Sequence, residues 1–336
     1  MLPGRRLAAL TGAALLAGCS RWPGALSPMG EGSGRIARLF WLFTIVCAAV
    51  WLLVVLALWL GIARRRADRP HPLVEEPRRD RVAYRVVGAC VATTGVILLV
   101  LTGFSWWTGK SLAALGERPA LTLKVTGSQW WWQVQYEDDQ PSRVLTTANE
   151  IHIPVGEPVQ IKLEATDVIH SFWVPQLSGK EDLIPGRQNV LTLKADRPGR
   201  YRGQCAEFCG LQHAKMGLLI IAEPRAEFDA WRDAQLASAA EPQSDEARRG
   251  RDVFAAKPCL MCHQIRGTTA GARSGPELTH FASRETIAAG TLPMTRGAIA
   301  AWIADPQAVK PGSNMPRVRL DADELNALVA YLEGLK

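Results

Sequence analysis

Cysteine is scarce. Seven in 336 residues are too few for a disulfide-dense scaffold. Charge is low as well, at 21%, and acidic residues are nearly missing from the first third. Residues 1–109 hold 13 Lys/Arg against 5 Asp/Glu, whereas residues 110–336 hold 26 against 27. The net charge of +7 therefore sits beside apolar runs instead of on a folded basic face, which leaves no footprint for a nucleic acid. Internal repeats are absent, and a hydrophobic share of 48% excludes a disordered chain. At roughly 150 residues per domain, the length suggests two domains plus additional segments.

What the chain does have begins with three apolar runs. Arg5 and Arg6 precede Leu7–Ala17, a basic and then apolar order that reads as an export signal over residues 1–18. It ends Leu16-Ala17-Gly18-Cys19, small residues before a cysteine, as in a bacterial lipobox, so Cys19 is expected to carry lipid. An outer segment, 19–38, follows. Leu39–Ala63 has Thr44 as its one polar side chain, and Val86–Trp107 carries only Thr and Ser as exceptions. Each reaches the ~20 residues that cross a ~30 Å hydrocarbon core. The loop between them, 64–85, carries eight Arg against four acidic residues, which places it in the cytoplasm and everything after Thr108 outside.

The outer part divides in two. Residues 117–223 hold short runs rich in Val, Ile, Leu and aromatics, among them LTLKVTG, QWWWQVQY, EIHIPV, VQIKLEA, NVLTLKA and GLLIIAE, separated by turn residues. This spacing predicts an antiparallel sandwich. Residues 224–245 are polar and read as a linker with one helical turn around Phe228–Gln235. Residues 246–336 read as helical, and the last segment places Leu325, Leu328, Val329 and Leu332 on one face.

Two clusters carry chemistry. Cys205, Cys209, His213 and Met216 put two thiols, an imidazole and a thioether within twelve residues, a soft set that favours copper, with zinc or an iron–sulfur cluster as alternatives. A Cys205–Cys209 disulfide would explain the cysteines but not His213 and Met216. Further on, Cys259-Leu-Met-Cys262-His263 is the spacing of covalent c-type haem attachment, with His263 on the iron. No βαβ pattern surrounds it, which argues against a thioredoxin-like pair.

The first cluster resembles the binuclear copper (CuA) loop of cytochrome c oxidase subunit II, and the resemblance runs from Leu39 to about Glu223. It implies a cupredoxin sandwich in which Cys205 and Cys209 bridge two coppers. His170, in DVIHSFWVPQL, and His213 bind one copper each, and Met216 and the Glu207 carbonyl are weak ligands. It further implies that the Glu207 side chain reaches a magnesium ion at the interface with subunit I, and that Trp130 admits electrons from an external cytochrome. The second cluster is similar to small class-I cytochromes c through RRGRDVFAAKPCLMCHQI, SGPELTHFASR and KPGSNMP. There the Met in a Pro/Gly-flanked loop before the last helix is the sixth iron ligand, which selects Met315 over Met294. Met261 lies inside the attachment loop.

The expected protein is thus a multidomain membrane protein: a two-helix transmembrane hairpin, an all-β cupredoxin-like sandwich and an all-α cytochrome c domain. Its cofactors would be CuA, haem c and an interfacial magnesium, and its partners oxidase subunits I and III, a soluble cytochrome c or similar donor, and the bacterial inner membrane. Electrons would pass from the donor to oxygen-reducing, proton-pumping subunit I. The same ligands would also serve a copper-relay subunit of a nitric-oxide reductase, or a membrane-anchored electron carrier or copper-delivery protein.

Overall fold

The computed structural model describes residues 24–64 and 77–336. The signal segment, Cys19 and most of the Arg-rich loop lie outside the described residues. The chain forms two compact units: Gly34–Leu115, and Gly116–Lys336 together with the segment ending at Ser33.

The first unit is a helical hairpin, α1 (Glu31–Ala63) and α2 (Pro77–Ala114), both long and apolar enough to cross a membrane. Their large apolar side chains face outward, Leu53 and Trp51 among them. In water such a surface would be costly, and in lipid it is matched. Both helices outrun the apolar stretches read from sequence. For α1 the reason lies at its start: Met29 N donates to Gln176 O at 2.8 Å, and Ser33 N donates to Leu177 O at 3.1 Å. The sandwich thereby satisfies backbone groups at the start of the helix.

The second unit opens with two five-stranded sheets. The strands are β1 (Leu121–Ser128), β2 (Trp131–Tyr136), β3 (Leu145–Ala148), β4 (Glu150–Pro154), β5 (Val159–Ala165), β6 (His170–Trp173), β7 (Glu181–Leu183), β8 (Asn189–Leu193), β9 (Gly199–Cys205) and β10 (Gly217–Glu223). One sheet runs β3-β2-β1-β5-β8 and the other β4-β10-β9-β6-β7. Period-2 burial along β1 and β2 points Leu123, Val125, Trp132, Val134 and Tyr136 into the core between them. The sandwich is mixed and not purely antiparallel, because β1 pairs with β5 and β4 with β10 in parallel. Neither pair is consecutive in sequence, so no tight hairpin dictates its direction.

The segment expected to be a linker is instead a helix, α3 (Arg225–Leu236), packed on the sandwich. Phe228 is buried, and Trp231 stacks on His152 at 4.0 Å and 7°. Most of its polar side chains lie on the outer face, while Gln235 is buried and Arg232 pairs with Asp138 at 2.8 Å.

The helical domain comprises α4 (Asp245–Ala256), a small hairpin of β11 (Thr286–Ile287) and β12 (Leu292–Pro293), α5 (Arg296–Ala304), α6 (Pro306–Val309) and α7 (Ala322–Glu333). Ser244 caps α4, and Asp321 with Glu324 forms a capping box on α7. These two helices cross closely at Gly250, where a Cβ would sit 1.9 Å from the Ala327 carbonyl. Phe254 meets Tyr331 edge-on one turn away, and Leu328, Val329 and Leu332 are buried as the periodicity predicts.

Candidate redox centres

The first centre lies at one end of the sandwich. Strands β6 and β9 are neighbours, with Phe172 opposite Cys205, so His170 at the head of β6 and Cys205 at the tail of β9 share that end. The connection to β10 then folds back and brings Cys209, His213 and Met216 to the same point. Cys205 Sγ lies 4.0 Å from His170 Nδ1 and 3.8 Å from Cys209 Sγ. Cys209 Sγ in turn lies 3.7 Å from His213 Nδ1 and 3.9 Å from Met216 Sδ. The Glu207 carbonyl is 3.2 Å from Cys205 Sγ. The two sulfurs are not bonded, so the disulfide reading fails. His170, Cys205, Cys209 and Met216 are buried, and Gly127 makes room for the His170 ring, which a Cβ would approach to 3.0 Å.

The electrostatics suit a cation. Hydrogen bonding from Cys209 holds the Cys205 thiol down to about 3, and the resulting thiolate pushes the Cys209 thiol up. The two thiols titrate as a pair, and a metal binding there would displace the protons they retain. Burial works against a charged His170, but Cys205 and Asp167 together outweigh it and raise its pKa. Asp167 Oδ1 lies 2.8 Å from His170 Nε2 and fixes the ring with Nδ1 toward the sulfurs. This chemistry of soft, buried, converging donors fits a copper centre.

The second centre follows α4. Cys259 lies in the 3-10 turn Pro258–Met261, with Cys262 and His263 directly after it. Both cysteines are unpaired thiols. His263 Nδ1 donates to Pro276 O at 2.7 Å, so Nε2 is the nitrogen left for a metal. Burial pushes its pKa down and keeps it neutral, as ligation requires. Met315 sits in a loop that Gln307 organises. Its amide nitrogen donates to Ser313 O at 2.9 Å and Met315 O at 3.0 Å, and its oxygen accepts from Gly312 N at 2.8 Å. Met294 packs against the helical core, and Met261 is exposed. The residues present fit covalent haem.

Comparison with known proteins bears on the whole chain. Residues 139–223 match the family described as cytochrome c oxidase subunit II, periplasmic domain, and residues 247–336 match cytochrome c. Cytochrome c oxidase subunit 2 of Alkalihalophilus pseudofirmus is 37% identical over 320 residues, 93% of this chain and 90% of that protein. The chain belongs to the cytochrome c oxidase subunit II family. The Bacillus subtilis subunit 2 is 29% identical over 96% of this chain and 94% of its own length. The solved periplasmic domain of subunit II from Bradyrhizobium japonicum is 32% identical, with a TM-score of 0.33, and covers 35% of this chain and 94% of that one. This subunit II, with its fused cytochrome c domain, is membrane-bound and transfers electrons to subunit I. The nitric-oxide reductase and free-carrier readings give way to it.

Of the three adjacent tryptophans, Trp132 is a core residue edge-on to His170 and Phe172, and Trp131 is half-buried. Trp130 is 7% exposed, and its Nε1 donates to the Cys209 carbonyl at 2.9 Å. His152 and His280 are structural. His152 lies between Glu150 and Glu223, while His280 faces the carbonyls of Ala237 and Lys336. Sequence reasoning missed Asp167, Gln307 and Lys310. Only Asp167 left a trace, standing three residues before a candidate ligand. Gln307 and Lys310 act through carbonyls brought near by folding, which no local pattern announces.

Proposed function

We propose that in this oxidase subunit Cys205 and Cys209 bridge a binuclear copper centre. His170 and His213 ligate one copper each, and Met216 and the Glu207 carbonyl are weak ligands. Cys259 and Cys262 bind haem c covalently, with His263 and Met315 on its iron. The observation that carries this reading is the two-sided convergence on the sulfur pair: His170 approaches Cys205, while His213 and Met216 approach Cys209. When bound, copper held by Cys205, Cys209, His170 and His213 would supply a one-electron relay, and the rigid donors around it would leave little to rearrange as its charge changes.

The protein's own part is to hold donors rigid and dry. Asp167 orients His170 and Pro276 orients His263, while the Gln307 amide ties down the loop of Met315. Electrons enter from a soluble cytochrome c or similar donor at the haem domain, pass to the copper site and leave to subunit I, where oxygen is reduced with proton pumping. The half-buried Glu207 carboxylate is available to an interfacial magnesium, and subunit III completes the partners. The redox domains lie on the periplasmic side of a bacterial inner membrane, with Cys19 as a lipid anchor.

Metal and haem analysis of the purified oxidase tests the assignment. Cys209→Ser should remove the near-infrared copper absorption and leave the covalent haem of this chain on a denaturing gel. Cys259→Ala with Cys262→Ala should do the reverse. Loss of both groups in either variant, or of neither, would overturn it.

A further inference from the structure

The cytochrome domain touches the sandwich at the first redox centre. Lys310, from the loop between α6 and Met315, is 3% exposed. Its Nζ donates to Trp130 O and Lys215 O, both at 2.8 Å, and to Ala288 O at 3.3 Å. Trp130 and Lys215 flank the copper loop, since the Trp130 indole bonds the Cys209 carbonyl and Lys215 precedes Met216. Ala288 belongs to the tip of the β11–β12 hairpin. One buried side-chain nitrogen therefore joins three separate segments through their backbone carbonyls.

The surrounding contacts follow the same pattern. Gly217 N donates to Ala289 O at 2.9 Å, with so little space that a Cβ on Gly217 would lie 3.1 Å from that oxygen. Gln212 Nε2 donates to Pro311 O at 2.7 Å, Lys215 Nζ donates to Val309 O at 2.5 Å, and Asn314 Nδ2 donates to Gln129 O at 3.3 Å. Gly312 lies over Trp130 itself, where an added Cβ would be 3.7 Å from the indole. The segment leading to Met315 is thus laid against Gln129, Trp130 and the copper loop, and helix α3 is no slack tether. Two domains held by a single flexible connection would not build such a seam from backbone groups of both partners.

We propose that Lys310 is a positioning residue that pins the Met315 loop on Trp130 and the copper loop, making Trp130 an internal bridge between the two centres and closing it to a soluble donor. This rests on the ligand assignment above. In the transfer, one electron leaves the His263–Met315 site and the same electron enters the Cys205–Cys209 site. No bond or proton changes at Lys310. The expectation from resemblance that Trp130 admits electrons from an external cytochrome is thereby replaced by passage within the chain.

The test is hydroxyl-radical footprinting of the assembled oxidase, read at Trp130 by mass spectrometry, together with haem-to-copper electron transfer after flash reduction. In the wild type, Trp130 should be oxidised several-fold more slowly than its half-buried neighbour Trp131. Lys310→Met should raise Trp130 oxidation several-fold and slow internal transfer by about tenfold, with the copper and haem absorption spectra unchanged. Equal oxidation of Trp130 and Trp131 in the wild type would overturn the proposal, as would unchanged protection or an unchanged transfer rate in the variant. If Lys310→Met does not assemble, Asn314→Leu, on the exposed rim, is read by the same criteria. A wild type lacking the copper or haem spectrum would strike the ligand assignment instead, and the Trp130 footprint would still judge the docking.

Discussion

Asp167 Oδ1 and His170 Nε2 lie 2.8 Å apart, on the side of the imidazole that faces away from Cys205. Asp167 also accepts from the backbone N–H groups of Gln129 and Val168, so its own orientation is fixed. Its carboxylate pKa is lowered, because these hydrogen bonds and the one to His170 outweigh the cost of partial burial. A carboxylate behind a ligating histidine sets the tautomer and raises the basicity of the nitrogen in front.

Asp167→Ala should therefore weaken copper retention by roughly 10–100-fold while leaving haem untouched. Competition against a graded chelator, followed by the near-infrared absorption, measures it. Unchanged retention would reduce Asp167 to a loop residue.

Met315 and Met294 separate by environment. Met315 lies in the Gln307-tied loop, whereas Met294 packs on the helical core. Met315→Leu should abolish the far-red sulfur-to-iron absorption of oxidised haem c and lower its potential, since a Met ligand favours the reduced state. Met294→Leu should leave both in place. The opposite result would exchange the two assignments.

At Gly250 helix α4 lies tight against α7, where an added methyl would be 1.9 Å from the Ala327 carbonyl. Backbone cannot step aside as a flexible side chain can, so Gly250→Ala should cost about 1–3 kcal/mol, or more. Thermal unfolding followed by haem absorbance should show a lower midpoint for this domain. An unchanged midpoint would mean that the helices slide apart freely.

His152 joins the sandwich to α3 by stacking on Trp231 between Glu150 and Glu223. Burial alone would lower its pKa, but the hydrogen bonds to the two carboxylates prevail and raise it above 6.5. A raised folded-state pKa contributes stability that is fully present below the unfolded value and is lost as pH rises through the folded one. Unfolding midpoints should therefore fall for the wild type as pH rises above about 6.5, relative to His152→Gln, which cannot titrate. Parallel curves for the two proteins would remove His152 from the pH dependence.

The sequence by itself determined the two spans, the fold class and both clusters of candidate ligands. Each of these depends on local order: apolar length for the helices, alternation for strands such as LTLKVTG, and soft donors within twelve residues for the copper loop. Strand β9 was harder to see, because Tyr201, Gly203 and Cys205 point inward between Arg200, Arg202 and Gln204, and glycine and cysteine carry little apolar signal. The four-residue β6 is too short to show a period. Only the tertiary structure decided which strands pair in parallel, that the polar stretch after Glu223 is a docked helix, and that Lys310 lies buried against Trp130. A lysine in a Pro/Gly-rich loop reads as solvent-exposed until three carbonyls from distant segments surround it. Contacts of that kind arise from chain segments far apart in sequence, and backbone carbonyls are common to all residues, so no residue pattern encodes them.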